Sequence, residues 1–310
     1  MNPFVVFLIS SLAGVIIIPV LLTISKKTNF LVDVPEGDTL KIHKKNIPLL
    51  GGLAILASSC IGAVIFFWQQ PGLEIVVIFI GLLVIFFLGF WDDLKWKHIS
   101  TIKPMLKFPL LLTCAFVPAF ILALVEIRFN FVPIYIISLL LGFTYIFISI
   151  NAVNYQDGMD GLVGGEVCIS LLGFTFLSAM LGNSFGLVIS FISLGAVSAF
   201  LVFNFPPAKV FMGDSGAYSL GFILAVLAML FSKPYNTYSI LGPVFIIGLP
   251  IFDGVYTNIR RLLAGKSIFL GDRSHFYDKL LQKGFSTKKT LAICFSLQLL
   301  LVFIGVLIYK

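Results

Sequence analysis

Charge is what this sequence has least of. Asp, Glu, Lys and Arg make up 11% of its 310 residues, while 59% are hydrophobic, against roughly 25% charged in a soluble domain. Polar residues this sparse cannot cover a water-facing surface, and the mean hydropathy of +1.08 agrees, so a soluble globular protein is excluded. Cysteine is scarce as well: Cys60, Cys114, Cys168 and Cys294 each stand alone in an apolar run. Without a CxxC or Cys/His cluster, nothing points to a disulfide framework or zinc site, and packing is their default role. No basic residue precedes the first apolar run, 4–24, and no small-x-small cleavage site follows it, so it reads as a retained span rather than a secretory signal. Internal repeats and low-complexity tracts are missing too, and so is the polar/apolar alternation of membrane strands.

What the chain does have is uninterrupted apolar sequence, in runs reaching the ~20 residues with which a helix crosses a bilayer. Ten helices can be drawn, at about 4–24, 50–68, 73–91, 105–125, 131–150, 165–182, 185–203, 217–231, 238–257 and 288–309. The loops alternate in character: 25–49, 92–104, 151–164, 204–216 and 258–287 are polar and long or basic, and those between them are short. Placing the longer set on one side gathers 18 of the 21 Lys and Arg there, leaving Arg128, Lys233 and Lys310 opposite. By the positive-inside rule that side is cytoplasmic and both termini are extracytoplasmic. The expected fold is an all-α integral membrane protein of about ten transmembrane helices, one domain over 1–310, in the cytoplasmic (inner) cell membrane. The net charge of +7 then follows mostly from topology, with some attraction to anionic lipid or substrate and no need of nucleic acid. All carboxylates but Glu74 and Glu126 fall on the same side, as do His43, His98 and His275. The charge rule does not require that, so the active site is expected at the cytoplasmic face.

Four clusters carry chemistry. Asp92 and Asp93 close the third run; adjacent carboxylates repel, so the pair gains from Mg²⁺ or a lysine such as Lys95, and one member suits general-base work. A solvated helix end is the plainer alternative. The stretch 151–165, NAVNYQDGMDGLVGG, sets Asn151, Asn154, Asp157 and Asp160 among four glycines. In a helical turn Asp157 and Asp160 would share a side, and Gly158 and Gly161 would admit a ligand close to the backbone. No Gly-Lys-Ser/Thr follows, which excludes a Walker A loop, and an ordinary loop with a capping Asp is the alternative.

In 205–216, FPPAKVFMGDSG, Asp214 opens the eighth run between Gly213 and Gly216. A helix N-terminus there offers N–H donors to phosphate, and a hard oxygen ligand suits Mg²⁺; simple capping by Asp214 or Ser215 is the alternative. The last long loop and its flank carry Asp253, Arg260, Arg261, Asp272, Arg273, His275 and Asp278. Arginine forks match a diphosphate, whereas Lys283, Lys288 and Lys289 read as headgroup anchors. A histidine such as His275, taken alone, is more often structural than catalytic. The 33 Phe read as lipid-facing and interhelical filler.

Together these blocks resemble the polyprenyl-phosphate N-acetylhexosamine-1-phosphate transferases, the membrane family of the WecA, TagO and MraY enzymes. The likeness runs from DVPEGDTLKIHKKNIPLLGG at 33–52 through WDD at 91–93, NAVNYQDGMDGL at 151–162 and NFPPAKVFMGDSG at 204–216 to PIFDGVYTNIRR and GDRSHFYDKL within 250–280. The resemblance implies transfer of an N-acetylated amino-sugar 1-phosphate from a UDP-sugar to polyprenyl (undecaprenyl) phosphate, releasing UMP and starting a lipid-linked surface polysaccharide such as O-antigen. It implies Mg²⁺, for which Mn²⁺ can substitute, held by Asp214. Asn151, Asn154, Asp157 and Asp160 would line the nucleotide-sugar pocket, with Asn204 and Phe211 near uridine, the latter by stacking. Lys44, Arg260 and Arg273 would meet substrate anions, and His275 would face the diphosphate or sugar. Asp92 or Asp93 would handle the lipid phosphate or its proton, and a homodimer is allowed.

The chain departs from the family pattern at 275–278. Many members carry His-x-His-His there, and this sequence reads His275-Phe276-Tyr277-Asp278. The wording is similar to the branch that begins O-antigen and related polysaccharides with 6-deoxy amino sugars such as FucNAc or QuiNAc, which sets a UDP-6-deoxy-HexNAc beside UDP-GlcNAc as candidate donor and points away from the MurNAc-pentapeptide. A transporter or flippase for an anionic metabolite is the rival class, but transporters commonly place binding groups at mid-membrane on interrupted helices within repeats. A non-catalytic assembly scaffold is the third, and the intact DD, DGxDGL and GDSG blocks speak against it.

Overall fold

With no water in hydrocarbon to satisfy the backbone, an apolar run must bond within itself, and helix is the form in which it can. The computed structural model, which describes residues 2–33, 46–68, 72–95, 104–233, 236–265 and 273–309, accordingly has helix over every expected run. In chain order the helices are α1 (Pro3–Thr28), α2 (Gly51–Phe67), α3 (Leu73–Lys95), α4 (Pro104–Leu124), α5 (Tyr135–Tyr155) and α6 (Leu162–Leu181). There follow α7 (Ser184–Asn204), α8 (Gly213–Leu230), α9 (Leu241–Ile247), α10 (Leu249–Leu263), α11 (Phe276–Gln282) and α12 (Thr287–Tyr309).

The expectation of about ten spans is met in part. Among the described residues seven helices are long and apolar enough to span, namely α1, α3, α5, α6, α7, α8 and α12. An eighth candidate consists of α9 and α10 together, bent by 90°. The 17 residues of α2 and the described apolar part of α4, Phe108–Leu124, are shorter apolar helices, at the low end of the ~17–25 residues with which a helix crosses a bilayer.

The bundle is organised around α8. Of its most apolar window 89% is buried, against 22% for α1 and for α12, which puts α8 in the middle and those two at the lipid rim. Small residues make the central position attainable, because they let helix backbones meet. A Cβ on Gly89 of α3 would stand 2.5 Å from Cα of Ser215, and one on Gly221 of α8 would stand 2.6 Å from Cα of Ile150 in α5. One on Gly52 of α2 would press against the backbone nitrogen of Gly216. Three helices thus contact α8 backbone to backbone, all within its first half.

At the same end a short antiparallel pair, β1 (Val32–Asp33) with β2 (Ile47–Pro48), sets Val32 opposite Pro48 and Asp33 opposite Ile47. The segment leading into α8 bonds to this pair and to the start of α2: Phe211 N–H donates to Pro48 O at 2.8 Å, and Gly51 and Gly52 N–H donate to Phe211 O and Met212 O at 2.9 Å.

The bend between α9 and α10 has a local and a remote cause. Gly248 takes a φ of +64°, open to glycine at little cost. The break strands backbone groups, and Gln298 of α12 collects them: its Oε1 accepts Leu249 N–H at 2.8 Å, and its Nε2 donates to Ile246 O at 3.0 Å and Ile247 O at 3.2 Å. The same nitrogen reaches Ser170 Oγ at 2.9 Å.

Candidate active site

The C-terminal turns of α5 join two walls. Residues 151–155, expected in a loop, continue the helix to Tyr155, and this sets Asn154 toward α8 while Gln156, just past the end, faces α10.

The first wall is the head of α8. Its local N-cap residue, Met212, offers no capping side chain, and the task falls to Asp93 at the end of α3. The Asp93 carboxylate accepts the N–H of Asp214 at 2.8 Å and of Ser215 at 3.0 Å, satisfying donors that a helix start leaves orphaned. Only 1% exposed, such a carboxylate requires donors of this kind. Asn154 Nδ2 then donates to Asp214 Oδ1 at 2.7 Å, so Asp214 is fixed through both backbone and side chain. Asp92 lies beside them, buried.

Asp160 and Asn204 act between loops. Asn204 accepts the Gly161 N–H at 2.9 Å and donates to Val210 O at 2.8 Å, and Asp160 accepts the Ala208 N–H at 2.9 Å. These bonds lash the turn after α5 to the segment entering α8. The expectation that Asp157 and Asp160 share one side of a helical turn is not met, because residues 156–161 form turns rather than helix. Asp160 goes to Ala208, whereas Asp157 lies near Tyr277.

The second wall is the inner face of α10. Asp253, 6% exposed, accepts from Gln156 Nε2 at 3.0 Å and from the N–H of Phe276 at 3.0 Å, and bonds His275 Nδ1 at 2.7 Å. The imidazole lies between two tyrosines, with ring centroids 5.3 Å from Tyr155 and 6.2 Å from Tyr277. Tyr277 and Asp278, at the departure from the family pattern, are both buried. The Tyr277 hydroxyl packs against Gly158, docking α11 onto the turn after α5. Burial raises the Tyr277 pKa, and the carboxylates of Asp278, Asp157 and Asp253 add to this while Arg273 opposes it, so the phenol stays protonated. Burial also raises the Asp278 carboxyl, against the pull of His275, of the His275 backbone N–H bonded to it and of Arg273.

Asn151 Nδ2 bonds within its own helix to Phe147 O at 2.7 Å. Phe211 is half-buried, Arg273 is exposed, Arg260 is half-buried, and its neighbour Arg261 is only 3% exposed. Lys44 lies outside the described residues. Sequence reasoning named Asp253 without giving it a role and passed over Gln156 and Gln298. Gln298 carried a usable signal, being the one carboxamide in the last apolar run, since an amide inside a span marks a structural demand.

A polytopic membrane protein with acids and amides gathered at one end of its bundle is the class that this fold and site define. Within it, the chain belongs to glycosyl transferase family 4, whose model matches residues 75–232. It is 30% identical over 300 residues to a probable undecaprenyl-phosphate N-acetylglucosaminyl 1-phosphate transferase of Bacillus subtilis (strain 168), covering 94% of this chain and 80% of the relative. It is 29% identical over 287 residues to an undecaprenyl-phosphate alpha-N-acetylglucosaminyl 1-phosphate transferase of Yersinia pestis, covering 89% and 76%. A phospho-N-acetylmuramoyl-pentapeptide-transferase of Lacticaseibacillus paracasei is 30% identical over 274 residues, covering 81% and 80%.

Proposed function

We propose that this protein transfers an N-acetylated amino-sugar 1-phosphate from a UDP-sugar to polyprenyl phosphate at the cytoplasmic face, releasing UMP. The observation that carries the reading is the fixed Asp214: a carboxylate at the first turn of a buried helix, held by Asn154 and by the Asp93 cap. A lipid phosphate oxygen attacks the β-phosphorus of the UDP-sugar. The bond from that phosphorus to the bridging oxygen breaks, and UMP leaves with the electron pair. The attacking phosphate is already an anion at neutral pH, so the barrier falls mainly through charge neutralisation and in-line placement. A strong general base is then dispensable.

Asp93 is committed to the backbone of α8, and Asp92 is the member of the pair assigned to the lipid phosphate. Asn154 and Asp157 border the nucleotide-sugar, and Asp160 and Asn204 hold the loops that shape its pocket. In this reading Phe211 stacks on uridine, and Arg260, Arg273 and Lys44 are the cations for substrate phosphates.

The donor set suits Mg²⁺. Among the described residues no three His, Cys, Asp or Glu side chains converge on a point, but Mg²⁺ commonly takes one or two carboxylates together with substrate phosphates and water. Asp214 would hold the ion, which when bound neutralises charge on the diphosphate. The lipid substrate is proposed to lie along α10, whose Val255, Ile259, Leu262 and Leu263 are exposed. UDP-GlcNAc or a UDP-6-deoxy-HexNAc is the proposed donor, and initiation of a surface polysaccharide such as O-antigen is the proposed role.

The test is UMP release by purified protein given polyprenyl phosphate, Mg²⁺ and a panel of UDP-N-acetylhexosamines. One donor should yield UMP and a lipid-linked sugar, and Asp214→Asn should lower the rate by about 10³-fold or more. Silence with every donor would sink the reading.

A further inference from the structure

Three donors converge on the carboxylate of Asp253, from α5, from the His275 ring and from the start of α11. An ionised carboxylate only accepts, so the short bond to Nδ1 places a proton on that nitrogen. Nε2 is then the ring nitrogen left to meet a ligand, and it bonds to none of the described residues. Tyr155 and Tyr277 flank the ring and limit its rotation, and Gln156 in turn limits the carboxylate.

From this we infer that Asp253 is a positioning residue for the transfer reaction. It acts through His275 by fixing its tautomer and orientation, so that Nε2 addresses the phosphoryl oxygens of the donor, and Gln156 holds Asp253 in place. The inference rests on the transferase reading. An alternative with the same contacts is that Asp253 merely ties α5, α10 and α11 together, and the two make different predictions. A residue that acts through His275 has nothing left to lose once the ring is gone, whereas a general fastener costs the same with or without it.

The experiment is a double-mutant cycle on full-length protein in detergent, reading kcat and KM for the UDP-sugar from UMP release together with the thermal unfolding midpoint. Asp253→Asn and His275→Gln should each lower kcat by about 10- to 100-fold, with KM changed less than about 3-fold. The double variant should be no slower than His275→Gln. Asp253→Glu, which keeps an acceptor, should recover part of the loss, and Gln156→Leu should show a smaller loss of the same kind. If the two single losses multiply in the double variant, or if Asp253→Asn keeps the parental kcat, the inference is overturned while the transferase reading stands. If the parent protein releases no UMP from any donor, both fall together. Should Asp253→Asn fail to fold, the cycle is run from Gln156→Leu and His275→Gln, and multiplying losses there overturn the inference equally.

Discussion

The α8 wall and the α10 wall of the site are made by opposite means. Around α8 the contacts are backbone on backbone: Gly52, Gly89 and Gly221 bring three helices against it, and even its cap is a carboxylate on main-chain N–H groups. Around α10 the contacts are polar side chains, with Gln298 holding the bend and Asp253 holding Gln156, His275 and α11. One face of α10 carries apolar side chains that stay exposed, Val255, Ile259, Leu262 and Leu263 among them. A wall set by backbone contact cannot shift without moving several helices. The other wall answers to single side chains, and it is there that a change of one residue can retune the site without refolding the bundle.

The sharpest way to break this contrast is to put side chains on both walls. Gly52→Val places atoms against the Gly216 backbone, where nothing flexible can yield. A loss of about 3 kcal/mol or more is expected, seen as failure to recover monodisperse protein in detergent; a variant that unfolds at the parental temperature would contradict the packing described. Gln298→Leu should be milder, because the helices remain and what loses a partner is Leu249 N–H, the carbonyls of Ile246 and Ile247 and the Ser170 hydroxyl. About 2–3 kcal/mol is expected, with kcat falling as α10 loosens, and equal stability of variant and parent would remove Gln298 from the account.

Asp278→Asn should be the smallest. The carboxyl of Asp278 is raised in the folded protein, so its contribution to stability is full below the unfolded pKa and is lost as pH rises through the folded value. Asparagine keeps an acceptor for the His275 N–H and carries no charge to bury. The variant should therefore gain in thermal midpoint relative to the parent as pH rises above the ordinary carboxylate range, and a difference independent of pH would count against a buried, raised carboxyl.

The unequal legibility of the two walls has the same origin. Apolar runs announced the long helices, and the alternation of the loops announced that Asp92, Asp93, Asp157 and Asp214 share one end. Composition did not reveal that Asp93 would cap α8, because capping usually draws on the residue next door and here the cap comes from 121 positions away. The run 238–257 reads as one span, yet it bends at Gly248 because Gln298 supplies partners to the broken backbone. Likewise Asn154 was a site residue by resemblance, but its reach to Asp214 depends on α5 continuing past Ile150, a boundary that apolar content alone places too early. Pairwise physics across long sequence separations is what a linear reading lacks.

The partnership between Gly248 and Gln298 also has a direction in time. The N–H of Leu249 and the side chain that receives it are 49 residues apart, and the ribosome makes the break first. Until α12 enters the bilayer, the bend holds main-chain groups that lipid cannot solvate, and His275 lies in the stretch between them. A nascent chain should therefore acquire its earlier helices as settled elements and its histidine wall only with the last one. Chains that stop short of Gln298 would then be substrates for membrane proteolysis rather than slow enzymes.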